Sequence, residues 1–193
     1  GLTLFFRATD MGLAVRATTG DLGAFVGRRW HNQPHDNPVI ASRRQPGSVC
    51  KPCVYLTAYE QAVADGRTDI SPASITNDAA ETFEFDDQVW TPENYEKTYD
   101  GPITFRKALA HSRNLGTIHV AQNAGYDNVA NLWKRLGVGS APQAYPSIAL
   151  GVFDATPYEI ATAYTILPHV GTPPPPAYPP PPAPGRPRTT APP

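Results

Sequence analysis

The stretch Val49–Ala64, VCKPCVYLTAYEQAVA, constrains this chain most. At helical spacing it is apolar on nearly every side, and such a helix has to be buried. Any fold must therefore wrap other elements around it. Pro52 sits near its start. Proline lacks an N–H and is tolerated only in a helix's first turn. The helix is thus expected to begin at Ser48, after a Pro46-Gly47 turn, and to end near Asp65-Gly66.

At that start stands Ser48-Val49-Cys50-Lys51. Helical residues three apart share a face, with Cβ atoms roughly 5–6 Å apart. Two readings are open. One is a capping serine followed by a solvated lysine. The other is a hydroxyl nucleophile served by a neutral amine as general base. The surroundings favour the second. A lysine at the start of a buried helix loses solvation and feels the positive end of the helix dipole, and both lower its pKa.

With 193 residues, 40% of them hydrophobic, the chain is long enough for one domain with a real core. The formal net charge of −1 leaves no basic footprint for nucleic acid and no polybasic membrane patch. No run approaches the roughly 20 apolar residues of a membrane helix, and Leu2–Phe6 is too short for a signal-peptide core. More than half of the 23 prolines lie between Pro173 and Pro193. That segment is expected to be extended or disordered, outside the fold. The division is residues 1–168 as the domain and 169–193 as the proline-rich tail.

Along the chain, Gly12 to Arg28 reads as a hairpin turning at Thr19-Gly20-Asp21. Arg29 to Arg43 is a polar connector. Asp69 to Gly101 has little periodicity and reads as a long loop carrying aromatics, among them Trp90 and Tyr95. Helices are expected over Thr104–His111, Leu115–Asn123 and Asn128–Leu136. Tyr145–Phe153 is apolar and reads as a turn or short strand. Thr156-Pro157-Tyr158-Glu159 is a capping box opening a helix to about Leu167.

RQPGSVCKPCVYL (Arg44–Leu56) resembles the nucleophile segment of the transpeptidase domain of class A penicillin-binding proteins. Members usually carry aromatic residues where Cys50 and Cys53 stand. Ser112-Arg113-Asn114 within ALAHSRNLGT matches the family's second, Ser-x-Asn motif, in the expected order. Trp90-x-Pro92-x-Asn94-Tyr95 and PSIALGVFDATPYEIATAY are also similar to the family, so the resemblance runs from about Val15 to Gly171. It implies a mixed α+β fold of the serine β-lactamase and transpeptidase type, with an N-terminal β-hairpin and a helical lobe. It also implies catalytic Ser48, Lys51, Ser112 and Asn114, with substrate-binding Trp90, Tyr95 and Arg113. No cofactor or metal is called for.

The implied reaction is acyl transfer on the D-Ala-D-Ala end of a peptidoglycan stem peptide, with β-lactams acylating the same serine. The implied place is the bacterial cell envelope, on the outer face of the cytoplasmic membrane. Membrane attachment would come only through an N-terminal anchor not present in this sequence. The third motif, Lys-Thr-Gly, does not occur: Lys97-Thr98 is followed by Tyr99 and precedes Ser112. The domain is therefore expected to be incomplete, lacking the closing sheet strands, and a poor enzyme. The alternative from another class is a non-catalytic binding or structural fragment of the cell-wall synthesis machinery. Two weaker readings concern the cysteines. Cys50-Lys51-Pro52-Cys53 has the form of a redox pair, and His31 and His35 with Cys50 and Cys53 have the ligand types of a zinc site.

Overall fold

A computed structural model describes residues 13–15, 22–25, 38–138 and 142–167. The tail from Pro173, the Thr19-Gly20-Asp21 turn, and His31 and His35 lie outside these residues. The expected hairpin is present as β1 (Leu13–Val15) and β2 (Leu22–Phe25), antiparallel with a register shift between Ala14 and Val15. A short helix α1 (Pro38–Ala41) follows.

The apolar stretch forms α2 (Lys51–Ala64), but not from Ser48 as expected. Gly47–Cys50 is instead a 3-10 turn, in which the Ser48 carbonyl accepts the Lys51 N–H. Proline explains the difference. Pro52 cannot supply the bond that an α-helical Ser48 carbonyl needs, so that carbonyl takes the donor one residue earlier. The body of α2 is buried through Cys53, Val54, Tyr55, Thr57 and Ala58. Its C-terminal end emerges, leaving Val63 78% exposed.

Asp69 to Gly101 is not a structureless loop. It contains β3 (Ile75–Asp78), β4 (Phe83–Phe85) and β5 (Gln88–Trp90), and is closed by β6 (Gly101–Thr104). β3 pairs with β6 and β4 with β5, both antiparallel. Strands this short do not establish a period-two pattern, so they leave little trace in the sequence. The β4–β5 turn uses Asp86 and Asp87, both at positive φ, as a two-residue hairpin requires. Among the described residues the strands form only two-stranded ladders.

The remaining helices are α3 (Phe105–Ala110), α4 (Asn114–Ala124), α5 (Tyr126–Arg135) and α6 (Pro157–Tyr164). Thr104 caps α3, and α6 carries the expected Thr156–Glu159 capping box. The apolar Tyr145–Phe153 segment holds a 3-10 turn, Pro146–Leu150. α4 and α5 pack on α2. The core between them holds Val54, Leu115, Ile118, Leu132, Ile148 and the fully buried Trp133. Tyr55 meets Phe105 edge-on at 5.6 Å.

Gly151 ends the Pro146–Leu150 turn in the left-handed region, at φ +71°. A Cβ there would lie 2.5 Å from the Gly47 oxygen and 2.7 Å from the Gly47 nitrogen. Both facts demand glycine. Gly151→Ala should therefore cost about 2 kcal/mol or more, combining backbone strain with a clash against backbone. Urea unfolding checks this: the midpoint should fall with the slope unchanged.

Candidate active site

Ser48 sits in the 3-10 turn ahead of α2 with its side chain exposed. The chain around residue 150 holds that turn in place. The Gly47 N–H donates to the Gly151 carbonyl at 3.4 Å. The Cys50 thiol reaches the Ala149 carbonyl at 3.5 Å, and the Tyr164 hydroxyl donates to the Val49 carbonyl. Just upstream, Arg44 and Ala155 exchange backbone hydrogen bonds of 2.9 and 3.1 Å, and Arg43 pairs with Glu159 at 2.9 Å. Among the described residues the Ser48 hydroxyl makes no hydrogen bond.

Lys51, one helical turn on, is 1% exposed. Its Nζ donates to the Ser112 carbonyl at 2.5 Å, to Asn114 Oδ1 at 2.6 Å and to Ser112 Oγ at 3.1 Å. Ser112 lies between α3 and α4 at φ +54°, a left-handed conformation uncommon for serine. The bend lets its carbonyl and its hydroxyl face the same amine. Burial pulls the Lys51 pKa down to about 8, while Cys50 and Asp78 act the other way. Three oxygens match the three N–H bonds of the ammonium. When one proton leaves, two N–H remain for the Ser112 carbonyl and Asn114 Oδ1, which can only accept. The lone pair then accepts the Ser112 O–H. The cluster can thus exchange a proton between amine and hydroxyl.

Behind Asn114 is a second polar layer. Asn94, 3% exposed, accepts from the Asn114 N–H at 2.7 Å and the Leu115 N–H at 3.4 Å. Its Nδ2 donates to Asp78 Oδ1 at 2.8 Å and to the Thr98 carbonyl at 2.9 Å. Asp78 is fully buried and also accepts the Asp100 N–H at 3.1 Å.

Residues 11–180 match the family model of the penicillin-binding protein transpeptidase domain. The chain belongs to this family. It is 32% identical over 163 residues to penicillin-binding protein 1A of Aquifex aeolicus, covering 83% of this chain and 21% of that protein. Against penicillin-binding protein 1A of Pseudomonas aeruginosa it is 35% identical over 156 residues, covering 79% of this chain and 18% of that protein. The chain thus spans about a fifth of the length of these relatives. Its fold is similar to the crystal structure of penicillin-binding protein 1A from Haemophilus influenzae, with TM-score 0.71 and 30% identity over 80% of this chain and 22% of that one. The transpeptidase domain of Burkholderia pseudomallei penicillin-binding protein 3 shares the fold at TM-score 0.62 and 19% identity, over 86% of this chain and 52% of that one. The mixed α+β class expected from the sequence is the class of these transpeptidase domains.

Within this transpeptidase domain, the structure joins Lys51, Ser112 and Asn114 directly, while the Ser48 hydroxyl makes no hydrogen bond to them. None of the other three candidates hydrogen-bonds to the Lys51 amine. Arg113 pairs with Asp100 at 2.9 Å and with Asp78 at 3.6 Å. Half-buried Trp90 packs against Phe83 in a tilted arrangement, with ring centres 5.9 Å apart, and meets Phe85 edge-on at 6.3 Å. Tyr95 is 99% exposed. No local pattern marks Asp78 or Asn94 as a site residue, although Asn94 belongs to the Trp90-x-Pro92-x-Asn94-Tyr95 pattern. Asp78 shares the buried face of β3 with Thr76, but a polar pair leaves no hydrophobic signal.

Cys50 and Cys53 are free and buried, and burial pushes both thiols up, Cys53 to about 12. Neither is a ready thiolate. Among the described residues no group of three or more His, Cys, Asp or Glu could hold a metal ion.

Lys51 sets a pH dependence of stability with a definite sign. Its folded pKa of about 8 lies below the ordinary 10.5. Between these values the unfolded chain binds more protons, so the Lys51 contribution to stability rises with pH. The cysteine thiols act oppositely above their ordinary pKa, so Lys51 is read as a difference between two chains. From about pH 7 to 10 the parent should gain about 2 kcal/mol on Lys51→Met in urea titrations. A difference that stays constant would mean that Lys51 is not desolvated.

Proposed function

We propose that this chain carries a peptidoglycan DD-transpeptidase site acting by serine acyl transfer. One observation carries the reading: a buried lysine amine, with its pKa lowered to about 8, is held between Ser112 and Asn114 one turn after an exposed serine. Ser48 Oγ attacks the penultimate carbonyl of a D-Ala-D-Ala stem and passes its proton to Lys51. Ser112 relays that proton to the departing amine of the last D-alanine. An amine from a second stem then attacks the Ser48 ester, forms the cross-link and frees the serine. Asn114 holds Lys51 and contacts the peptide. The Ser48 N–H, in a first helical turn, serves as an oxyanion donor. Trp90, Tyr95 and Arg113 act on the substrate side of this reading.

The lack of a hydrogen bond at the Ser48 hydroxyl among the described residues fits a resting site, since catalytic hydrogen bonds often tighten only with substrate bound. β-Lactams acylate Ser48 by the same attack, with ring opening in place of a leaving amine. The site of action is the cell envelope, on the outer face of the cytoplasmic membrane. No helix among the described residues is long and apolar enough to cross a membrane.

A second reading, a non-catalytic module of the cell-wall machinery, has one observation in its favour: among the described residues no base is hydrogen-bonded to the Ser48 hydroxyl.

A fluorescent β-lactam separates the two. Covalent label on the parent, lost in Ser48→Ala, supports acyl transfer; no label on a folded parent supports the module. The rate should rise with pH around a midpoint near 8 as Lys51 loses its proton.

A further inference from the structure

We propose that Asn94 is a positioning residue for the Lys51 site: its carboxamide, together with the Glu93 carbonyl, clamps the start of α4 so that Asn114 presents its oxygen to Lys51. The proposal rests on the reading of Lys51 as the base.

The first N–H groups of a helix have no partner within it. At α4 the residue in the capping position, Arg113, makes no side-chain capping bond. Asn94 takes over from a loop 20 residues earlier, accepting the Asn114 and Leu115 N–H groups. Its orientation is determined, because its Nδ2 faces Asp78 Oδ1 and the Thr98 carbonyl, which accept. The Asn94 oxygen must then face the helix. Asn114 is oriented by the same logic. Its Nδ2 donates to the Glu93 carbonyl at 2.7 Å, which leaves Oδ1 for the lysine at 2.6 Å. Rotated by half a turn, Asn114 would offer an NH2 to an ammonium and strip Lys51 of an acceptor. Glu93 and Asn94 therefore grip both ends of Asn114, its backbone N–H and its side-chain amide. Asp78, buried and also paired with Arg113, keeps Asn94 from turning. An aspartate in place of Asn94 would set a second carboxylate against Asp78, so the position requires an amide.

The chain has four lysines, Lys51, Lys97, Lys107 and Lys134. With 13C-labelled lysine their ε-carbons can be titrated by NMR, and Lys51 is assigned by the signal missing from Lys51→Met. In Asn94→Ala, with folding verified by its amide spectrum, Asn114 is free to turn and the ammonium loses its Oδ1 acceptor. The Lys51 midpoint should move down by about one unit or more, further from the ordinary lysine value. Asp78 loses the Asn94 Nδ2 donor in this variant but keeps the Asp100 N–H and Arg113. Val89→Ala, on the exposed face of β5, should leave the midpoint where it was. An unchanged or higher midpoint in folded Asn94→Ala overturns the proposal.

A second measurement needs no variant. The Asn114 amide lies at a helix start, where exchange with solvent is normally fast. In the parent chain it should be slowed by about a hundredfold or more relative to an unstructured peptide. Exchange at the unprotected rate overturns the proposal. β-Lactam labelling enters neither readout, so failure of the acyl-transfer reading would show separately.

Discussion

The amine of Lys51 is the interaction on which the rest depends. It is buried, and a buried amine is costly unless its hydrogen bonds are met or its charge is given up. Both solutions are present. Two oxygens of Ser112 and one of Asn114 surround Nζ, and burial draws the pKa down to about 8. These demands bring the start of α2 and the start of α4 together across 61 and 63 residues of chain. The left-handed backbone of Ser112 follows from the same need, since one residue turns two oxygens to one nitrogen.

The turn bearing Ser48 is held from another direction. Its anchors are the 3-10 turn Pro146–Leu150, Gly151 and α6, all far along the chain. Gly151 lets two backbones approach until no Cβ would fit between them. Tyr164 reaches the Val49 carbonyl, and the Cys50 thiol lies against the Ala149 carbonyl. Small side chains at Cys50 and Cys53 suit this crowding, as both are fully buried. Their thiols are structural in character, with burial holding them protonated.

A polar layer then joins the site to the end of the β3–β6 ladder, to which Asp78 belongs. Asp78 accepts from Asn94 and pairs with Arg113 at 3.6 Å, while Asn94 accepts the Asn114 N–H at the start of α4. A buried network of this kind favours one arrangement, because any rotation leaves a buried polar atom without a partner. Arg113 draws its charge partners from this layer, Asp78 and Asp100, although it stands between the two residues that hold Lys51.

Local chemistry was legible in the sequence. The all-round apolar pattern of Val49–Ala64 required a buried helix, and that burial implied a lysine of lowered pKa. The Thr156 capping box and the β1–β2 hairpin follow from short-range rules, and the order of the two motifs carried the family. Pro52 marked the helix start, although its missing N–H acts one residue further, converting the Ser48 turn to 3-10. Tertiary structure decided the rest. β3 to β5 are too short to show a period, and β3 acquires its partner only when β6 returns alongside it. Asn94 and Asp78 became site residues only through packing, because a single polar side chain carries no pattern until the fold supplies its partners. Sequence by itself determined that the Val49–Ala64 helix would be buried and what kind of chemistry its start carries. Only the tertiary structure decided which oxygens face the Lys51 amine, because hydrogen-bond direction depends on neighbours that are distant along the chain.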